Sequence, residues 1–596
     1  NGYPEKLGGW AKDQINALDA AGGITSTETT IEGIARRMLY WRAAVDGVDR
    51  LAVGTHNHLL VIQNGAIYDI TPLRATQAGL SNPVATTNGS TTVTITDTAH
   101  GALTSDWVVL SGTTATGGIS ADTLNSYYGY QITRINADSY TIVVPSAASS
   151  TVSAGGGTVT IKYLIGLNNG LGVQSAAPAL GWGAGGWGNE AWGTPRSASE
   201  STVSLDNSSW NLSLWGEDLL ATVRGGAIYY WDTSEGIADR AVLASSLAGA
   251  QSVPAVVRVT TVSFPDRHFI AGGCTSYSSG LVDNMLVRWS SQEEFTKFAP
   301  TAINTAGDQR LEIGTKIVAM VPAREETIIS TDEAVYGMTF IGGDFVFSFR
   351  LLATDSGAAG LNTMISVDGD VYWMGKRNFF KYDGIVNELP CPVQYYVADR
   401  LQTSFIEKTT VGHNKEFKEI TWFYVSNDNS AGTTNPEPDS YVTFNYAENA
   451  WTVGTMDRTV WSDSFGAKTV PFAFDPDGYL YNHETGTSAD GAAMTSYIEG
   501  APREISQDGE TLYMVDQVIP DVTMTSNTSL YLYMNTRKFP NATEVTKGPF
   551  TITSATEKVS TRAKGRQISL KFQSTGTQDD WTLGDFRVNS RQDGLR

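Results

Sequence analysis

Residues 371–384 read VYWMGKRNFFKYDG. Two short runs rich in aromatic and β-branched residues flank a polar break, and an Asp-Gly turn closes the phrase. Runs of this length bounded by turn residues predict two strands joined by a tight turn. The pattern returns as LAVGTHNHLLVIQNGAIYDI (51–70), LLATVRGGAIYYWD (219–232), AVYGMTFIGGDFVFSF (334–349) and, more loosely, YVTFNYAENAWTVG (441–454). No copy contains an obvious reactive residue, so the recurrence is architectural before it is chemical. Counted along the chain, such units number roughly six or seven, each about 30–50 residues long, the sign of a β-propeller in which radial packing protects strand edges. The opening phrase is then one blade's inner hairpin. Asn64-Gly65, between LLVIQ and AIYDI, is a two-residue turn signal of the same kind.

The rest of the chain sorts around these repeats. Residues 1–80 hold an N-terminal segment and the first blade. Residues 81–165 change character, with Thr, Ser, Val and Gly at period two and few charges, and predict a small β-barrel module inserted into the fold. Trp107, Tyr128, Tyr130 and Tyr140 supply its expected core, and deleting 81–163 should leave the propeller folded. Residues 166–207 are a Gly/Trp-rich connector, 208–490 carry the remaining blades, and 491–596 form a C-terminal β-sandwich-like domain. Helical periodicity is confined to 390–406. The fold class is therefore all-β.

Composition excludes several functions. With 596 residues, 41% apolar and 10% aromatic, the chain can bury several cores, and its 60 Gly suit a turn-rich protein. It contains no run near the ~18 apolar residues of a membrane span. The first residue is Asn, so an initiator and further residues are expected before it. Two cysteines, Cys274 and Cys391, make neither a disulfide framework nor a metal cluster and are expected as buried apolar residues in a protein assembled in a reducing cytoplasm. A net charge of −21 argues against a clamp that grips phosphates with Lys and Arg.

The search for chemistry finds little. There is no HExxH or CxxC, and His483-Glu484 lacks the second His. Asp475 and Asp477 in FDPDGYLY have the spacing of a calcium loop, but the pattern stops there and a Pro-Asp-Gly turn explains it. GLNNGLG and GWGAGGWG neither follow a clear strand nor open a clear helix, as phosphate-cradling loops do. No GxSxG elbow nominates a serine, and Trp231-Asp232 stands alone without the repeated Gly-His/Trp-Asp signature. No cofactor, metal or catalytic residue is nominated, and a non-enzyme is expected. Two sets remain as candidate contacts. Trp182, Trp187 and Trp192 recur about every five residues in a glycine-rich loop and would anchor it to a neighbouring surface, in an assembly that of another subunit. Arg562, Lys564 and Arg566 alternate and so share one face of a strand, which is solvated or faces a subunit or a phosphate.

Several stretches taken together resemble one family. GYPEKLGGW (2–10), RRMLYWRAAVDGVDRLAVGTHNHLLVIQNGAIYDITPLR (36–74), MLVRWSSQEEFTKFAP (285–300), GLNTMISVDGDVYWMGKRNFFKYDGIVNELPCPV (360–393), DPDGYLYNHETG (475–486) and the closing GRQISLKFQS…WTLGDFRVNSRQDGLR (565–596) look like segments of the tail tubular or nozzle-type proteins of short-tailed phages. The insert is similar to a small barrel spliced into many phage structural proteins. This resemblance implies a β-propeller subunit of a homohexameric tail nozzle, set below the adaptor ring and near tail fibres or tailspikes. The assembly would form in the host cytoplasm, reside in the virion tail, and both retain and release genome DNA through its lumen. Six copies would carry about −126 formal charges, and a lumen lined by acidic or neutral side chains would let DNA slide. The alternative is a receptor- or carbohydrate-binding propeller of the virion, its tryptophans stacking on sugars.

Overall fold

The computed structural model describes residues 8–13, 15, 30–44, 46–167, 206–343, 345–428, 436–504 and 511–595. Seven four-stranded antiparallel sheets follow one another around a ring. Blade 1 comprises Ala35–Arg42, Asp49–Thr55, Leu59–Gln63 and Ala66–Asp69. Blades 2, 3 and 4 span 210–243, 257–310 and 317–354. Blade 5 comprises Met364–Val367, Asp370–Met374, Phe379–Tyr382 and Val386–Leu389, and blade 6 spans 410–455. Blade 7 combines Val460–Ser462, Phe472–Phe474 and Leu480–His483 with an outer strand from far upstream, Trp10–Lys12, whose register pairs Trp10 with His483 and Lys12 with Tyr481. The first strand of each blade packs on the first strand of the next, and Val460–Ser462 packs back on Ala35–Arg42. The wheel is closed.

The quoted phrase VYWMGKRNFFKYDG forms the second and third strands of blade 5, with Trp373 opposite Phe380. It is the blade's middle hairpin, not its inner one. The inner strand, Met364–Val367, lies just upstream and is the least aromatic of the three. The reason is physical: the middle strands are buried between neighbouring blades on both faces, so they take the large side chains, while inner strands crowd the axis. Asn64 and Gly65 both adopt positive φ, 52° and 78°, and Gln63 pairs with Ala66, the I′-type hairpin expected of Asn-Gly.

Tryptophans couple the blades. Trp210 of blade 2 donates its indole N–H to the Thr55 carbonyl of blade 1 at 2.9 Å, and Trp41 of blade 1 returns the contact to Glu217 at 3.1 Å. Trp422 of blade 6 donates to Thr363 at 3.0 Å, and Trp461 of blade 7 to His413 at 3.0 Å. Each pair joins apolar area to a satisfied buried donor. Gly54 and Gly412 make room for this: a Cβ at either would lie 2.5 Å or less from the ring of Trp210 or Trp461.

The module inserted after blade 1 has two sheets, one holding Leu73–Ser81, Trp107–Ser111, Tyr130–Gln131 and Thr158–Leu164, the other five short strands. The chain passes directly from one sheet to the other at 81–84, 131–133 and 155–158, giving a barrel-like unit without a fully hydrogen-bonded ring. Its core gathers Val93, Ile95, Leu110, Ile142 and Ile161 around Tyr140 and Tyr163. Of the four aromatics expected there, Tyr140 is central and Tyr130 packs at the margin. Trp107 and Tyr128 instead face blade 1. The Trp107 ring lies 4.9 Å from that of His58, and His58 Nε2 donates to the Tyr128 carbonyl at 3.2 Å.

The C-terminal strands make a sandwich-like unit. The sheet built on Leu530–Arg537 and Gln567–Ser574 shares a core with the sheet of Thr511–Ile519, Val559–Gly565 and Arg587–Leu595. The helical expectation over 390–406 is met by Gln394–Arg400 and a 3-10 turn, Thr403–Lys408. Cys274 is buried and Cys391 only half-buried, and both are free. Burial pushes their thiols up, to about 12 and about 11. No helix among the described residues is long and apolar enough to cross a membrane.

Candidate functional site

Seven inner strands converging on an axis leave a cavity of about 540 Å³ lined by all seven blades. Met38, Leu212, Val259, Met320, Met364 and Val460 give it apolar wall, and Asn211, Thr261, Asn362, Ser366, Thr410 and Ser462 add polar groups. Because the inner strands run in the same direction around the ring, the cavity has two unlike ends.

At the upstream end, where the inner strands begin, Arg36 and Arg37 occupy the head of the blade 1 strand. A β-bulge leaves Arg36 out of the pairing between Ala35 and Arg37, and the two side chains meet different surroundings. Arg36 is enclosed and forks onto Glu437, at 2.5 and 2.8 Å, and Lys408 Nζ reaches the same carboxylate at 2.7 Å. The side chains of Arg36, Glu437 and Lys408 are 3%, 8% and 2% exposed. Burial would raise the Glu437 carboxyl, but Arg36 and Lys408 outweigh it and hold it below its ordinary value. For Lys408, burial wins over the attraction of Glu437 and lowers the amine.

Beside this triad lies a second network. The turn Thr403–Lys408 reaches over the end of the axis and presents Glu407 to Arg224 of blade 2 at 2.9 Å and to Lys316 at the head of blade 4 at 3.1 Å. Asp206, just before blade 2, receives Arg224 and Lys316, each at 3.3 Å, and also Arg258. Burial opposes ionisation of Asp206, yet these three cations hold its carboxyl far below normal. Blade 2 and the Thr403–Lys408 turn come from opposite sides of the wheel, so the ion pairs tie the two together across this end. Together the two networks set five cations against three carboxylates.

Arg37 points the other way, into the cavity. Its guanidinium donates to Asn362 Oδ1 at 3.2 Å, and Asn362 Nδ2 is fixed by the Arg36 carbonyl at 2.8 Å. Arg37 is exposed to solvent at this end of the cavity. It makes no ion pair with any of the described residues, and desolvation by the surrounding protein alone depresses it.

At the downstream end His413 Nδ1 lies 3.1 Å from Asp463 Oδ2, and His413 Nε2 lies 3.1 Å from the Tyr446 hydroxyl. Burial would raise Asp463, but His413 and the backbone N–H groups of Ser464 and Lys415 pull it below normal. A similar chain runs through blade 3, where Asp266, His268 and Thr305 are joined at 2.6 and 3.0 Å. His268 is fully enclosed, and the Thr305 hydroxyl also accepts the Gln292 N–H at 2.8 Å. These bonds staple a turn. Asp475 likewise accepts from the Tyr479 N–H at 2.8 Å, as a turn residue does. Among the described residues no cluster of three His, Cys, Asp or Glu is placed to hold a metal.

The candidate contact residues lie elsewhere. Trp182, Trp187 and Trp192, with most of GLNNGLG and all of GWGAGGWG, fall outside the described residues. Arg562 and Lys564 do share one exposed face of Val559–Gly565, and Lys564 pairs with Asp593 at 2.7 Å. Arg566 is past the strand end, half-buried, its N–H donating to the Arg537 carbonyl at 2.9 Å. None of the three lines the axial cavity. Sequence reasoning missed Arg37, Glu407 and Glu437. A pair of arginines heading the apolar strand RRMLYW was the available signal.

No family model matches the chain, and no curated protein matches it. Among solved structures, a phage phi92 endosialidase aligns at 11% identity and a TM-score of 0.15, covering 94% of this chain. The chain spans 59% of that protein's length. A Synechocystis apocarotenoid oxygenase variant aligns at 10% identity and a TM-score of 0.28 over 68% of this chain and 87% of its own. A second variant of that oxygenase aligns at 8% identity and a TM-score of 0.27. These similarities are too loose to transfer an activity.

Proposed function

We propose that this chain is a non-catalytic structural subunit of a phage tail nozzle, six copies of which surround a conduit that retains and releases genome DNA. The observation that carries the reading is the placement of the nozzle-like sequence segments. RRMLYWRA supplies the inner strand of blade 1, MLVRWS the third strand of blade 3, VYWMG…YDG the middle of blade 5, and YLYNH the strand on which Trp10–Lys12 closes the wheel. The resemblance thus runs through the framework of the ring and its closure, as a shared architecture requires.

In this reading the propeller axis is not the conduit. Its cavity is small and its upstream end is crossed by Thr403–Lys408 and two ion networks, so a polymer has no path along it. DNA would pass between subunits, each wheel forming part of the wall. Six-fold closure needs two different faces on every subunit, and the insert, the C-terminal sandwich and the connector bearing Trp182, Trp187 and Trp192 are the candidates to supply them. An adaptor ring above and fibres or tailspikes beside it complete the set of partners. Native mass spectrometry and negative-stain imaging of the purified chain test this: rings of six with a central pore support it. Stable monomers that adsorb to host cells or bind a glycan array would favour an adhesin instead.

A further inference from the structure

The axial cavity has a feature that the nozzle reading does not use. Arg37, on the cavity lining and exposed to solvent, has no carboxylate partner among the described residues, whereas the cations of the neighbouring networks are paired. Arg36, Lys408, Arg224, Arg258 and Lys316 each meet at least one carboxylate. The contrast is local, because Arg36 and Arg37 are adjacent in one strand and only the first has a counter-charge. A guanidinium on a cavity wall without a carboxylate partner presents its planar fork to an oxyanion, which it can receive with two parallel hydrogen bonds.

We propose that the cavity binds a small organic oxyanion, with its anionic head on Arg37 and an apolar body along the axis. Four observations converge on this. Asn362 orients the guanidinium and is itself held by the Arg36 carbonyl, so the donor fork is fixed in advance. Thr410 lies at the same end and lines the cavity. The adjoining networks carry five cations against three carboxylates, so the potential at this end favours an anion in a chain that is acidic overall. Below the head site, Met38, Leu212, Val259, Met320 and Met364 line the wall, and a volume of about 540 Å³ falls within the range of small-molecule sites. Asp463 and His413 at the far end set the orientation, since an anionic head placed there would meet the Asp463 carboxylate.

Calorimetric titration of the full chain with hexanoate, hexanol and inorganic phosphate tests the proposal. Hexanoate is expected to bind, to raise the melting temperature, and to outcompete both hexanol and phosphate. Arg37→Gln should bind hexanoate about ten- to a hundredfold more weakly, the worth of one charge-assisted contact, and Arg37→Lys should recover part of the loss. Without hexanoate the Gln variant should melt within about 1 °C of wild type, because Arg37 is exposed and holds no ion pair among the described residues. Hexanoate that fails to bind wild type, or that binds Arg37→Gln equally well, overturns the site. Equal affinity for phosphate and hexanoate overturns the apolar body. An Arg37→Gln chain that is destabilised even without ligand would show the guanidinium to be structural.

Discussion

Arg36 and Arg37 are neighbours in sequence and opposites in circumstance, and a β-bulge that leaves Arg36 out of the strand pairing divides them. The residue turned outward from the axis is enclosed by the loops that cap the wheel, and there its charge survives only because Glu437 accepts both arms of the fork. Removing one partner of such a group leaves charge buried without compensation, at a cost of about 3–5 kcal/mol. Glu437→Gln is therefore expected to destabilise the propeller by about that amount in urea denaturation at neutral pH, since Arg36 and Lys408 then lose their shared anion. The sign of the pH dependence follows from the depressed Glu437 carboxyl. Its stabilisation is fully present above the ordinary glutamate value of about 4.3 and is lost as pH falls through the lower folded-state value. The wild-type chain should lose stability along that acidic limb more steeply than the variant. Parallel limbs in the two chains would remove Glu437 from the account.

Among the elements, the hairpins were legible and their ranks within a blade were not. Asn64-Gly65 announces its turn because only residues that accept positive φ serve there. The recurrence of aromatic-rich runs announces repeated sheets because inter-blade packing demands large side chains at fixed intervals. Nothing local says that 370–382 is the middle of a blade, since rank depends on which strand reaches the axis. Nor could the charged closure be read, because Arg224 and Glu407 are 183 positions apart and meet only once the ring has closed. The insert shows the same division. Its period-two pattern gave a separate core correctly, but Trp107 and Tyr128 were assigned to that core when they serve as its foot on blade 1. The insert enters and leaves through one antiparallel pair, with Leu73 opposite Leu164, so the two ends are already adjacent. Replacing residues 75–163 with an Asn-Gly turn should leave a closed seven-bladed wheel. The loss of the His58 aromatic contacts is worth about 1–2 kcal/mol, or a melting temperature lower by no more than about 8 °C. A broad, non-cooperative melt of the excised chain would mean that the insert is part of the propeller core.

For the molecule as a whole, charge and topology bear on the same question. The chain carries −21 overall, yet its buried axial networks are net positive, so the acidic excess is carried elsewhere, at the surface. In the proposed ring those surfaces would come together, and the repulsion would have to be offset by contacts or screened by salt. Ring formation should therefore strengthen as ionic strength rises, the opposite of a complex held by complementary charge. DNA in the proposed conduit would meet the same field. A conduit that neutralises phosphates would bind duplex with a steep inverse dependence on salt, whereas one of like sign would neither retain the duplex nor show that slope. Electrophoretic mobility of labelled duplex with the assembled ring, measured across a salt series alongside native mass spectra, reads both effects. The expected result is rings that persist or grow with salt and duplex that runs free throughout. Tight duplex binding that weakens steeply with salt would place a basic lining on the conduit and contradict the sliding mechanism, even if the rings themselves were six-fold.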